Sequence, residues 1–497
     1  MKSKRIYNVL RWFSLVLIFS AVLLTVLSLV RFSRIRNSFP PGMRIAEVPV
    51  GGLDQQRAAE RIIQSYGIPI EIHYEGAVIQ IKPLAMGFEL DLTSMLAAAD
   101  LQRINQPFWE AFWSYLWDRL PKPGEVPLIA KISEERLKSY LRNDIATRYD
   151  LPSEPAKPVP GNVNFQPGKS GTSLDIDRAV ILISDALRSP NSRVVNLTFN
   201  RSTPPRPSLQ NLQILLQQIM DIARFDGVAE IYIKDLQTSQ ELNFAYQQGK
   251  NLPPEIAFTA ASTMKIPIMV STMKQVKEPI PKEVTSLLEL MIERSENDPA
   301  DRLMEQVMNK ATGPLFVTDN MTALGLKNTF LAGYFYPGAP LIKRIKTTAN
   351  SREDINTGPD VYNQTTPADM GMLLEDLYQC SLNGGGSFAA VFPGLISQTE
   401  CRTMIDYLAL NRIGVLIQAG LPDGTRSAHK HGWVNETDGV IHTIGDAGII
   451  YSPGGNFILT IYINHPVQLV WEPSNLMVAN LTSAVYNYFN LNITGSQ

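Results

Sequence analysis

Two serine–lysine pairs at helical spacing, Ser262-Thr263-Met264-Lys265 and Ser271-Thr272-Met273-Lys274, are the residues of this chain best suited to nucleophilic chemistry. A serine hydroxyl attacks well only with a base beside it. Residues three apart on a helix share a face, with Cβ atoms roughly 5–6 Å apart, so the amine can reach the serine oxygen. That amine acts as a base only where burial or nearby positive charge lowers its pKa. The copies are nine residues apart, and at about 100° per residue they fall on opposite faces of one helix. Pro253 to Ala261 reads as a loop entering a helix, and Pro267 belongs in a first turn. Ser262 therefore sits by the helix N-terminus, where the macrodipole favours a developing oxyanion. Ser271 and Lys274 read as a surface pair on the later turns of an amphipathic helix.

Two further clusters supply what Ser262 and Lys265 lack. In Ser295-Glu296-Asn297 a hydroxyl can relay a proton to a leaving group, and an amide can bind a substrate carbonyl while orienting the lysine. In Lys430-His431-Gly432-Trp433, on an expected strand before the loop Asn435–Gly439, the cation can hold a substrate carboxylate. Gly432 leaves room for substrate along the strand edge. The backbone N–H groups of Ser262 and Trp433 can then form an oxyanion hole. A rival reading takes His429, His431 and His442 as zinc ligands, since residues two apart on a strand share a face. No metal or other cofactor is required by the serine chemistry.

These residues need elements to hold them. Leu209 to Arg224 has helical periodicity, while Gly227 to Asp235 and Glu241 to Gln247 alternate as a hairpin. Helices dominate from the Ser262 segment to about residue 412. Strands at Ala447–Ser452 and Phe457–Ile463 flank Pro453-Gly454-Gly455, and a last helix covers Pro473 to Tyr488. The expected fold is α+β: an antiparallel sheet closed by strands from both ends of the domain, flanking helices and an inserted helical lobe.

Upstream, Trp12 to Val30 is an uncharged apolar run of 19 residues, long enough to cross a bilayer. Lys2, Lys4, Arg5 and Arg11 precede it, and Arg31, Arg34 and Arg36 follow. The expectation is a single-pass cell-membrane anchor at 12–30, a cytoplasmic tail at 1–11 and extracytoplasmic domains beyond, with the lipid bilayer as a partner. Proline-rich stretches at Pro152–Gly161 and Thr203–Ser208 mark boundaries. Between the anchor and the second boundary, Leu53-Asp54-Gln55-Gln56-Arg57-Ala58 recurs as Leu174-Asp175-Ile176-Asp177-Arg178-Ala179, each with Asp placed as a helix N-cap. The expected division is small α+β modules at 40–150 and 151–206, then a domain at 208–497. With 497 residues, 44% of them hydrophobic, two or three cores can form. The net charge of −2 supplies no basic footprint for nucleic acid, which is not expected as a partner. Cys380 and Cys401 can form a disulfide in an exported domain or remain as two buried thiols.

Met43 to Leu53, and Val163-Asn164-Phe165 through Leu174-Asp175, resemble the YoaR-like domains assigned to peptidoglycan binding on exported bacterial wall proteins. Residues 208–497 resemble the class A β-lactamase and penicillin-binding fold, with Ser262-x-x-Lys265, Ser295-Glu296-Asn297 and Lys430-His431-Gly432 in family order. Gln364-Thr365-Thr366-Pro367-Ala368-Asp369-Met370 matches the helix start after the family's active-site loop. The resemblance implies acyl-enzyme chemistry on β-lactams or peptidoglycan peptides. Ser262 would be the nucleophile, Lys265 the base, Ser295 the relay, Asn297 the orienting amide and Lys430 the carboxylate anchor.

Two departures qualify the implied activity. His431 replaces a hydroxyl residue that normally helps hold the carboxylate. No E-x-x-L-N loop precedes Thr366, where Glu353, Asp354 and Asp360 are the nearest carboxylates. Slow deacylation is the resulting expectation. A catalytically impaired wall-binding module is the alternative.

Overall fold

The structure, a computed structural model, describes residues 2–119, 122, 124–411, 413–436 and 438–491. Met1 of the expected tail, Thr437 of the loop after the Lys430 strand, and residues 492–497 lie outside the described residues. The chain forms two compact units, residues 1–153 with 170–203, and residues 154–169 with 204–497.

In the first unit, helix α1 (Lys2–Arg36) contains a stretch, Tyr7–Arg36, long and apolar enough to cross a membrane. Helix α2 (Gln55–Gly67) begins at Asp54, whose carboxylate accepts the Arg57 N–H at 2.8 Å. It leads into the hairpin β1 (Ile70–Tyr74) and β2 (Ala77–Ile81). Helices α3 (Leu92–Arg103) and α4 (Phe108–Leu116) follow. The second copy of the repeat starts α5 (Ile176–Arg188) in the same way, with Asp175 accepting from Arg178 N at 3.1 Å. Its strand β3 (Val194–Asn196) then pairs in parallel with β1.

The two copies thus share one sheet and one core, in which Ile62, Ile72, Met95, Ile183 and Val195 pack together. This differs from the expected separate modules at 40–150 and 151–206. Backbone pairing between β1 and β3 joins the copies, and residues 154–169 group with the second unit. The segment joins that unit because Val163 and Phe165 pack into its core and Asn487 Nδ2 donates to the Val163 carbonyl at 3.0 Å.

The second unit opens with helix α6 (Leu209–Ile222) and strands β4 (Val228–Asp235), β5 (Glu241–Gln247) and β6 (Lys250–Leu252). After a two-residue strand and a 3-10 turn come α7 (Lys265–Gln275), α8 (Lys282–Glu293) and α9 (Asn297–Leu303). Helices α10 (Pro367–Asn383) and α11 (Gln398–Ala409) precede β7 (Arg426–Asn435), β8 (Ile441–Tyr451), β9 (Phe457–Asn464) and α12 (Trp471–Phe489). The sheet order is β6-β5-β4-β9-β8-β7, antiparallel throughout. The first and last parts of the domain meet where β4 pairs β9, with Ile231 opposite Ile461.

Strand β9 is buried along its length, and alternation divides its side chains between two layers. Phe457, Leu459, Ile461 and Ile463 pack under α6 and α12, whereas Ile458 joins the helical lobe with α7, α8, α10 and α11. Strand β8 begins at Ile441, six residues before the expected start at Ala447. Gly445 and Asp446 interrupt its apolar pattern for local reasons. The Tyr462 ring covers Gly445, where an added Cβ would lie 2.3 Å from a ring carbon, and Asp446 is buried against His429.

Cys380 on α10 and Cys401 on α11 form a disulfide inside the lobe core. Closing a loop of 21 residues should stabilise the domain by about 3 kcal/mol through restriction of the unfolded chain. Chemical unfolding of the full chain and of Cys380→Ala/Cys401→Ala should therefore differ by about that amount. Equal unfolding free energies would show that the crosslink leaves the unfolded state unchanged.

Candidate active site

The segment that carries Ser262 is fixed from both sides before α7 begins. Buried Glu230 on β4 accepts the N–H groups of Glu255 (3.1 Å) and Ile256 (2.8 Å), and burial raises its pKa to about 8. The chain then turns through a 3-10 segment, Ala261–Met264, so Ser262 stands one turn ahead of the α-helix and Lys265 is its first residue. Ala261 adopts a left-handed φ of 47°, held by its N–H donating to Asn363 Oδ1 at 2.9 Å. Ser295 also has a left-handed φ, 59°, between α8 and α9. Such conformations need surrounding contacts to persist in residues with a Cβ.

Lys265 Nζ is the meeting point. It lies 2.9 Å from Ser262 Oγ, 2.8 Å from Asn297 Oδ1, 2.6 Å from the Ser295 carbonyl and 3.3 Å from Ser295 Oγ. Lys430 Nζ, from β7, approaches Ser295 Oγ from the other side at 2.8 Å. Both lysines are fully buried. Burial and then the neighbouring Lys430 charge lower the Lys265 pKa to about 6. Burial lowers that of Lys430 to about 8. At neutral pH the arrangement favours a neutral Lys265 beside a charged Lys430.

Strand β7 reaches Ser262 because of Gly432. An added Cβ there would meet Ala260 O at 2.8 Å, Ser262 N at 2.8 Å and Thr263 N at 2.9 Å. The space expected for substrate at this glycine is occupied by the backbone of the nucleophile turn. A register shift between Trp433 and Asn435 follows immediately, a feature common beside active sites. Trp433 and Ser262 both line a cavity of about 320 Å³, together with Asn297, Tyr334, Asp360, Tyr362 and Asn363.

His431 is placed differently from Lys430. Alternation turns its ring to the opposite face, where it stacks on Trp433 at 4.7 Å and its Nδ1 lies 3.0 Å from Asn411 Nδ2. Burial, then the Lys430 charge, lower its pKa to about 3, so the ring is neutral and accepts from the amide. His429 Nδ1 meets Asp446 Oδ1 at 3.0 Å, and His442 bonds Asp438 and the His465 carbonyl. His429 and His431 share the Asn411 amide, at 3.2 Å and 3.0 Å, while His442 is held by other partners, and the three do not form a metal-binding cluster among the described residues.

The second serine–lysine pair departs from the surface reading. Ser271 is fully buried, and Lys274 donates to Asn320 Oδ1 at 2.6 Å while lying 4.2 Å from the centre of the Phe392 ring. Helix α7 runs through the lobe core with apolar neighbours on every side, so it has no amphipathic face to expose. Of the three carboxylates shortly before Thr366, Asp360 is the one that lines the cavity, although it lies outside any motif. The only available signal was its position six residues before Thr366.

A sequence profile described as the Beta-lactamase enzyme family matches residues 211–280 and 281–489. No curated protein matches the chain. Among solved structures, PBP-A is 20% identical, covering 58% of this chain and 100% of its own with a TM-score of 0.41. An ancestral class A β-lactamase is 20% identical, covering 54% and 98%, with a TM-score of 0.39. The TLA-1 extended-spectrum β-lactamase is 18% identical, covering 55% and 97%, with a TM-score of 0.40. The profile extends over more than half of the chain and across every element that carries Ser262, Lys265, Ser295, Asn297 and Lys430, and the chain belongs to the β-lactamase enzyme family.

Proposed function

We propose that this protein is a membrane-anchored, extracytoplasmic serine enzyme that forms an acyl-enzyme on Ser262 with β-lactams or peptidoglycan peptides and releases it slowly. The observation that carries this reading is the partner set of Lys265 Nζ. A neutral amine has two N–H groups and one lone pair. The Ser295 carbonyl and Asn297 Oδ1 can only accept, so they take the two N–H groups. The lone pair is left for the Ser262 hydroxyl at 2.9 Å.

The chemistry follows from that assignment. Ser262 Oγ attacks the substrate carbonyl carbon as its proton passes to Lys265. The carbonyl oxygen becomes an oxyanion held by the N–H groups of Ser262 and Trp433. The proton then moves through the Ser295 hydroxyl to the leaving nitrogen, the C–N bond breaks and the acyl group stays on Ser262. The Lys430 charge attracts a substrate carboxylate and keeps Lys265 unprotonated.

Removal of the acyl group needs an activated water. Asp360 is the carboxylate in the cavity lining; burial raises its pKa, and it accepts the Tyr362 N–H at 3.0 Å. The Tyr362 N–H already takes up one of its oxygens, and slow deacylation rests on the lack of an E-x-x-L-N glutamate before Thr366. The apolar helix α1 and the Cys380–Cys401 disulfide support an anchored protein in an oxidising compartment. Peptidoglycan binding by the first unit rests on its YoaR-like resemblance.

Fluorescent penicillin should label the full chain. Ser262→Ala should abolish labelling and Ser271→Ala should leave it, as read on a denaturing gel; label persisting in Ser262→Ala overturns the assignment. Lack of labelling in the unaltered chain, across several β-lactams and a stem-peptide thioester, favours the impaired wall-binding alternative. The acylation rate should rise with pH through about 6 as Lys265 loses its proton, and fall above about 8 as Lys430 loses its charge. A rate independent of pH between those limbs and beyond them contradicts these roles. Gly432→Ala should slow acylation by roughly 100-fold or more by displacing the nucleophile turn, with the far-ultraviolet dichroism unchanged.

A further inference from the structure

Helix α4 has two unlike faces. Its inner face docks on the end of α1: the Phe32 ring lies 5.4 Å from Phe108, 5.5 Å from Phe112 and 5.2 Å from Tyr115. Arg36 clamps the same junction, with its guanidinium 5.2 Å over Phe108 and Nη2 donating to the Gln106 carbonyl at 2.9 Å. On the outer side Trp109, Trp113 and Trp117, the last at the residue capping α4, follow one another at four-residue intervals, 62%, 58% and 70% exposed. Three solvent-facing indoles in line are costly to leave in water, since each carries a large apolar area.

The position of this line along α1 identifies what covers it. The uncharged run ends at Val30, and α4 packs against Leu29 and Phe32. At about 1.5 Å per residue, the contact lies within one turn of the end of the run. Exposed Arg31 and Arg34 stand at the same level. That level is the boundary between hydrocarbon and headgroups, where indole rings concentrate because one edge is apolar and the other donates a hydrogen bond. Arginines beside it match the phosphates of lipid headgroups.

We propose that α4 is an interfacial helix whose Trp109, Trp113 and Trp117 lie in the bilayer interface next to the exit of α1, so the protein meets the membrane through two elements. This rests on the reading of α1 as a membrane anchor. The occupant is glycerophospholipid, reached from the same surface that α1 crosses.

The test uses the full chain reconstituted in phosphatidylcholine vesicles whose acyl chains are brominated near the headgroup or near mid-chain. The remaining tryptophans supply the controls. Trp12 reports insertion of α1 and stays in Trp109→Phe/Trp113→Phe/Trp117→Phe; the α4 indoles stay in Trp12→Phe. A chain with all four replaced gives the background from Trp433 and Trp471. The α4 emission should be blue-shifted and lose more intensity with bromines near the headgroup than at mid-chain. Quenching of Trp12 with no quenching of the α4 indoles overturns the proposal while leaving the anchor, and means that water or a protein partner covers this face. Absence of quenching in both variants overturns the anchor reading and the interfacial helix with it.

Discussion

A buried amine held among four oxygens and beside a second buried amine is the constraint on which the site depends. Charging both Lys265 and Lys430 in the same dry pocket is unfavourable, because each adds desolvation and mutual repulsion. The arrangement resolves this by lowering Lys265 further than Lys430. Each lysine has carboxylates that offset part of its burial, Asp446 for Lys430 and Asp301 and Glu296 for Lys265, but Lys265 alone also carries the lowering effect of a neighbouring ammonium, which exceeds that of either carboxylate. The difference separates a neutral amine from a charged one without any change of residue type.

That separation requires elements distant in sequence to meet closely. Lys265 comes from the start of α7, Ser295 from the turn between α8 and α9, Asn297 from the start of α9, and Lys430 from an edge strand. The strand closes in because Gly432 and Gly445 sit opposite each other. Gly432 admits the backbone of the nucleophile turn, and Gly445 admits the Tyr462 ring, whose hydroxyl reaches Thr263 Oγ1 at 2.7 Å. Two missing side chains therefore set the distance between the sheet and the serine.

Much of this was legible in the sequence because its signals are local. The spacing of Ser262 and Lys265, the capping Asp54 and Asp175, and the alternation of β4 and β5 each depend on neighbours within a few residues. Three features were not legible. The burial of Ser271 and Lys274 depends on a lobe wrapped around α7, which periodicity within the helix cannot report. The joining of the two repeat copies depends on β1 and β3 pairing across more than a hundred residues. The extension of β8 through Gly445 and Asp446 depends on Tyr462 and His429 in adjacent strands.

The sequence by itself determined the chemical inventory and its order: a serine with a lysine three residues on, a hydroxyl–amide pair, a lysine two residues before a glycine, and an apolar run near the N-terminus. Residue type and short-range helical or strand geometry suffice for those. Only the tertiary structure decided that Lys265 and Lys430 are buried side by side with Lys265 lowered further, which way His431 points, that Asp360 lines the cavity and that the indoles of α4 and its cap line up next to α1. Each of those outcomes depends on burial and on distances between segments that touch only in the folded chain, and pKa and exposure follow from these surroundings rather than from the residue alone.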